Sequence, residues 1–253
     1  MPSYIGHTAC AYELLKRLNI SDEDKTKFII GNMLPDIKQV DIDYTLDEFI
    51  NKKRIQKSKR KTHFRKNTNF ILEYPHCRIF LEKYEDEVKE HIETMAYFFH
   101  LYTDYAYFKY FLPSIITFLD DQYNEVDEKD NFYYVVVNRS HEIIKAKYFF
   151  SKLSDKSLYK EYTRSNSYLI RRYNINLNTK FMKDYLKKNG YNTYVEEIKL
   201  NKIYDIFSRI DKVYDRISDD ELQVFTEDML DAFVDKVVSS FIEEYGDLIK
   251  KYL

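Results

Sequence analysis

The chain has 253 residues and a formal net charge of −2. So even a balance gives no global attraction to nucleic acid or to an anionic membrane, and two cysteines, Cys10 and Cys77, are too few for a disulfide framework or a thiolate zinc site. Four glycines and four prolines supply too few turns for a β-rich protein, so composition predicts an all-α fold.

A chain of this length buries a sizeable core and does not need a metal merely to fold. Its 25 tyrosines and 18 phenylalanines, with no tryptophan, predict half-buried helix faces with rings inward and hydroxyls outward. Met1-Pro2-Ser3-Tyr4 shows no basic stretch leading into an apolar one, and no run is long and apolar enough to span a bilayer. A soluble, cytoplasmic protein is therefore expected.

In chain order, the spacing of Ala11, Leu14, Leu15 and Leu18 predicts a first helix over 7–18. Ser21 caps a second, whose first turn carries Asp22, Glu23 and Asp24, and which Gly31 and Pro35 break. The pattern is irregular over 37–61, with a short helix around 46–50. Pro75 opens a helix toward Tyr84. The strongest segment runs over 87–111, where Ile92, Met95, Ala96, Phe99, His100, Thr103 and Ala106 share a stripe and Pro113 follows. An acidic loop is expected over 124–131. The β-prone run 132–137 is expected to lead into a helix over 140–153. Helices follow over 159–173 and 178–188, the latter stopped by Gly190. The last two carry the apolar faces Ile203 to Ile217 and Phe225 to Tyr245. No internal repeat or low-complexity linker divides the chain. A single domain over 1–253 is expected, with residues 1–112 bearing the site and 113–253 serving mainly as scaffold.

His100 and Asp104 stand out in that aromatic helix. A spacing of four turns both side chains to one face, about 40° apart. A buried pair of this kind either satisfies itself by a hydrogen bond or shares a metal ion. Three upstream residues bear on the choice. His7 lies at a helix start after Gly6, Asp36 follows Pro35 where a helix ends, and His63 precedes Phe64. Taken singly, each has an ordinary explanation as a cap, a turn residue or a loop histidine.

The ordered set is more telling: a near-N-terminal His, a Gly-x-x-x-Pro-Asp, a His-Phe and a His-x-x-x-Asp in an aromatic helix. Over roughly the first 110 residues it resembles the zinc-dependent phospholipase C family, which shares its fold with the S1/P1 nucleases. The resemblance implies a compact multi-helix fold with zinc held between helices. It implies that Asp36, His63, His100 and Asp104 hold one zinc and that Asp104 bridges to a second, ligated by His7. Nitrogen and oxygen donors suit zinc, with manganese or iron as alternatives. By the same resemblance Asp36 both ligates and receives a proton from the attacking water. Family members carry a third zinc on a further His and a His-x-x-x-Glu. Here Lys145 stands four positions after His141, so a mono- or dinuclear site is expected.

The implied function is hydrolysis of a phosphoric ester: a phospholipid head group, a small phosphodiester or a nucleotide. Lys38 and Arg65 are the bases nearest the ligands in sequence and are candidates to hold a phosphate oxygen. The basic stretch Lys52 to Lys61 reads first as a solvated loop, and otherwise as an anion collector leading to His63. The alternative is a non-enzymatic helical module that keeps a structural metal or a ligand pocket. An HD-type phosphohydrolase is set aside, since no His is followed directly by Asp. His91 is expected on the opposite, exposed helix face, His76 and His141 at helix starts, and Cys10 as a small buried thiol.

Overall fold

The computed structural model describes residues 3–37, 61–65, 74–127, 131–151, 154–198, 200–214 and 220–253. Helix α1 (Tyr4–Leu15) begins earlier than the apolar spacing suggests, because Ser3 caps it and its Oγ accepts from Gly6 N at 3.0 Å. His7 therefore sits inside the helix rather than at its start. Ser21 caps α2 (Asp22–Met33) as expected, accepting from Asp24 N at 3.1 Å.

Gly31 does not break α2. The helix runs through it and gives way to a 3-10 turn, Leu34–Asp36, with Pro35 in its opening positions. Gly31 is required for a different reason. A Cβ there would lie 2.6 Å from the Glu93 carbonyl oxygen and 3.0 Å from both Ala96 Cβ and Tyr191 Oη. The missing side chain lets α2 press closely against a neighbouring helix.

That neighbour is α4 (Ile92–Ala106). The expected single helix over 87–111 is in fact three pieces. Helix α3 (Cys77–Glu90) ends at His91, whose φ of −122° and ψ of 115° are extended, and α4 starts immediately after it. At the far end α4 passes into a π-helical turn, Tyr107–Phe111, and then into α5 (Leu112–Ile115) with Pro113 in its first turn. The wider turn removes the clash that a proline ring makes with the carbonyl four residues before it. Every residue from Thr94 to Asp104 is buried. The expected apolar stripe is thus one side of a helix that is covered all round. Helices α1, α2 and α3 pack on α4, and so does the last helix, α10 (Glu227–Tyr245). Phe241 of α10 meets the rings of Phe98, Phe99 and Tyr102.

The all-α expectation needs correction between α5 and residue 145. Four short strands form an antiparallel sheet in the order β2-β1-β3-β4: β1 (Ile116–Leu119), β2 (Glu125–Val126), β3 (Tyr134–Val137) and β4 (Glu142–Lys145). Ile116 faces Val137 and Phe118 faces Val135, so β-branched and aromatic side chains pair across the ladder. Within the run 132–137, Tyr134–Val137 is a strand that turns into β4 and does not lead directly into a helix. The helix expected over 140–153 shrinks to α6 (Ala146–Phe149). The molecule is mostly helical, with a small sheet, rather than all-α.

Helices α7 (Leu158–Arg172), α8 (Thr179–Asn189) and α9 (Ile203–Tyr214) follow, close to their expected bounds. The fully buried Glu161 of α7 accepts from the backbone N of Gln223 at 2.6 Å and of Val224 at 2.7 Å, and Arg139 Nη1 donates to Leu222 O at 2.6 Å. These bonds secure the segment that leads into α10. Among the described residues no helix is long and apolar enough to cross a membrane.

Candidate metal centre

Five side chains from four parts of the chain meet beside the middle of α4. His100 and Asp104 come from α4 itself, His7 from α1, Asp36 from the 3-10 turn after α2, and His63 from the turn after the helical residues Lys61 and Thr62. Four of them are at most 2% exposed, and Asp36 is 8% exposed. Asp104 is central. Its Oδ1 is 3.2 Å from His7 Nε2, and its Oδ2 is 3.3 Å from His63 Nε2 and 3.9 Å from His100 Nε2. His63 Nε2 also lies 3.7 Å from Asp36 Oδ1. Ligand atoms of His7, Asp36 and His100 form one mutually close trio, and those of His63, His100 and Asp104 form another.

Hydrogen bonds of good geometry do not account for the spacings at His7, His100 and Asp104. Both ring nitrogens of His7, Nε2 of His100 and both oxygens of Asp104 are buried and lack a hydrogen-bond partner among the described residues. Leaving a buried polar atom unsatisfied costs about 1–3 kcal/mol, more for a charged group. Two ligands at about 2.0–2.1 Å from one tetrahedral zinc lie roughly 3.3 Å apart. The observed spacings match donors arranged around an ion better than they match donors bonded to each other, so the residues present fit a zinc-type metal.

The ring orientations have identifiable causes. His100 Nδ1 lies 2.7 Å from the backbone carbonyl of Asn32. A carbonyl only accepts, so Nδ1 carries the proton and Nε2 presents its lone pair to the cluster. Asn32 is in the last turn of α2, where carbonyls run out of helical partners. The close approach at Gly31 brings that carbonyl within reach. His63 Nδ1 lies 3.1 Å from Thr62 Oγ1, which leaves Nε2 facing the two carboxylates. Tyr97 donates to the Thr62 carbonyl and steadies the same turn. His7 stacks flat on His100, with ring centroids 3.8 Å apart and planes 5° apart.

Electrostatics follow from burial. Burial, with the neighbouring His7 second, lowers the His100 pKa to about 4, so its ring is neutral and ligand-competent at physiological pH. For Asp104 burial works in the opposite direction, but the imidazoles of His7, His100 and His63 outweigh it. The carboxyl is held well below its ordinary range and stays ionised. A neutral imidazole lone pair beside a fixed carboxylate is the state in which both bind a divalent cation.

The other expected residues lie elsewhere or outside view. Lys38, residues 52–60 and the short helix over 46–50 fall outside the described residues. Lys61 is exposed, and Arg65 is half-buried just beyond Phe64, whose φ is 50°. His91 is not on the exposed face of a helix. It joins α3 to α4, half-buried, and stacks on Tyr194 at 3.5 Å. His76 stands at the N-cap of α3. His141 is exposed in the β3–β4 turn at φ 57°, not at a helix start. Cys10 is a fully buried thiol whose pKa burial pushes up.

Sequence reasoning missed Asn32, Thr62 and Tyr97 as supports. Asn32 sits inside the Gly-x-x-x-Pro-Asp motif, but its contribution is a carbonyl, which carries no side-chain signature. An open cavity of about 450 Å³, lined by Glu23, Lys27, Glu93, Tyr185, Tyr191 and Tyr252, lies at the start of α4, and none of the five cluster residues lines it. No family model, curated protein or solved structure matches this chain.

Proposed function

We propose that the chain is a metal-dependent hydrolase of phosphoric esters, with a mono- or dinuclear zinc-type centre and a fold of the phospholipase C/P1 nuclease type. The observation that carries this reading is the convergence of His7, Asp36, His63, His100 and Asp104 on one buried cluster, in which His7, His100 Nε2 and the Asp104 carboxylate lack a hydrogen-bond partner among the described residues. Those five residues would hold the ion or ions, with manganese or iron as alternatives to zinc. A bound zinc-type ion supplies Lewis acidity toward a phosphoryl oxygen and lowers the pKa of a coordinated water.

The chain's own residues have separable tasks. Asp104 brings a permanent negative charge to the centre. His100 and His63 present Nε2 because Asn32 and Thr62 occupy Nδ1. Asp36, the most exposed of the five, is the carboxylate best placed to take a proton from an entering water. Candidate substrates are a small phosphodiester, a nucleotide or a phospholipid head group.

One observation favours a second reading. The centre is nearly closed to solvent, and closed sites are typical of structural metals. The protein would then be a helical binding module without turnover.

Metal analysis combined with a panel of phosphomonoesters and phosphodiesters separates the two. Wild-type protein refolded with zinc, manganese or iron is expected to retain stoichiometric metal. H100A and D104A should each lose it and, with it, turnover on at least one ester, while H91A keeps both. Bound metal without turnover on any ester supports the binding module. Absence of stoichiometric metal in the wild type ends both readings.

A further inference from the structure

We propose that the cavity at the start of α4 is a binding site for a linear organic polyamine, held by carboxylates spread around the cavity and by tyrosine side chains. The site is separate from the metal centre and does not depend on the hydrolase reading.

The cavity, of about 450 Å³, lies where the first turns of α2 and α4 meet the end of α8 and the C-terminal residues Lys251 and Tyr252. Its lining carries four carboxylates, Glu23, Asp24, Glu90 and Glu93, against two ammonium groups, Lys27 and Lys251. Both lysines are already engaged. Lys27 Nζ is 3.1 Å from Glu23 Oε1 and 3.6 Å from Asp24 Oδ1. Lys251 Nζ donates to the Glu90 carbonyl at 3.1 Å and lies 3.4 Å from Glu90 Oε2. Neither of these two lysines pairs with Glu93, which is half-buried in the first turn of α4. The lining holds more negative charge than its own cations offset, so it favours an entering cation over an anion.

The carboxylates do not gather at one point. Among the described residues, three or more His, Cys, Asp or Glu side chains come close enough to share a metal ion in the centre beside α4 and not in this cavity. A single compact ion would leave most of these acids unmet, whereas a chain with several ammonium groups meets them at separate places.

Tyr185, Tyr191, Tyr194 and Tyr252 supply much of the remaining wall. Three of them are held by protein contacts. Tyr191 donates to the Lys27 carbonyl at 3.2 Å, Tyr185 donates to Glu23 Oε1 at 3.3 Å, and Tyr194 stacks on His91 at 3.5 Å. Tyr252 differs. It is 6% exposed, and its hydroxyl is buried without a hydrogen-bond partner among the described residues. A buried hydroxyl left in that state is costly, and an ammonium N–H donated to its oxygen relieves the cost. Tyrosine faces attract the same charge. A quaternary ammonium has no N–H to give to the hydroxyl or to the carboxylates, so the chemistry selects an amine. The volume is that of a small-ligand site.

The test is calorimetric titration of the full chain with spermidine at an ionic strength of about 0.15 M, where diffuse attraction between exposed charges is screened. Saturable one-to-one binding is expected. E93Q should weaken it about tenfold or more and Y252F about threefold, each keeping the wild-type circular-dichroism spectrum. D86N removes an exposed carboxylate of α3 that does not line the cavity and should leave the affinity unchanged. Tetramethylammonium should bind more weakly than spermidine, and equimolar magnesium should not displace it. Any one of four results overturns the site: no saturable spermidine binding by the wild type, wild-type affinity in E93Q or Y252F, equal losses in E93Q and D86N, or binding of tetramethylammonium or magnesium as tight as that of spermidine. Each of them leaves the metal centre untouched, since none of its five residues lines this cavity.

Discussion

An imidazole whose Nδ1 is tied to a carbonyl can take up a proton only at Nε2, and in His100 that atom is buried beside other rings. In metal-free protein the consequence is a pH-dependent stability. The unfolded chain protonates His100 near its ordinary pKa of 6.5, and the folded chain only near about 4. Between those values the unfolded state holds more protons, so stability is full above pH 6.5 and falls as pH drops toward 4. The size is on the order of 3 kcal/mol. Asp104, held well below 3.8, adds a loss of the same sign at still lower pH. Urea unfolding of chelator-treated protein at pH 7 and pH 4.5 measures the effect, and H100A should flatten most of it. Equal stability at the two pH values would mean that the ring is not buried in neutral form. Helical spacing alone singles out His100 and Asp104, while His7, Asp36 and His63 enter the candidate set only through the family resemblance of the ordered motifs. Their hydrogen-bonded supports were not, because a backbone carbonyl such as that of Asn32 is present at every position and its use depends on what packs against it.

At the scale of elements, the contact between α2 and α4 couples packing to the centre. Gly31 lets the two helices approach until a Cβ would meet the Glu93 carbonyl oxygen at 2.6 Å. A backbone atom cannot rotate away, so G31A must move one helix. The expected cost is about 1–3 kcal/mol in urea unfolding. The same movement draws the Asn32 carbonyl away from His100, and metal affinity should fall about 10–100-fold, as it does on loss of an orienting partner. Full metal affinity in a destabilised G31A protein would show that the His100–Asn32 bond does not orient the ligand. Gly31 reads as a helix breaker in sequence because isolated helices disfavour glycine. Here the gain from close packing with α4 exceeds that local penalty. Pro113 carries the opposite lesson. In sequence it marks the end of a helix, whereas the chain widens into a π turn and continues as α5.

For the whole molecule, the central helix decides how the centre relates to stability. Helix α4 is covered on every side by α1, α2, α3 and α10 through apolar and aromatic contacts that need no ion. Removing metal with a chelator is therefore expected to leave the helical circular-dichroism signal intact. The thermal midpoint should drop, by an amount set by mass action: about 2.7 kcal/mol when free metal had stood at 100 times its Kd. Loss of the helical signal on chelation would show that the ion is part of the core.

Local interactions made much of this protein readable in advance. Capping at Ser21, the apolar periodicity of α9 and α10, and the i,i+4 relation of His100 to Asp104 depend on residues within a few turns of each other. Periodicity, charge and cap chemistry report such relations directly. The sheet is different: Ile116–Leu119 becomes a strand because Tyr134–Val137 lies beside it, a pairing across about eighteen residues that no window on either segment contains. The joining of His7, Asp36 and His63 to α4, the exposure of His141 in a turn, and the bond from Arg209 to Tyr4 across 205 positions belong to the same class. They follow from which surfaces exclude water together, and that is a property of the assembled chain rather than of any stretch within it.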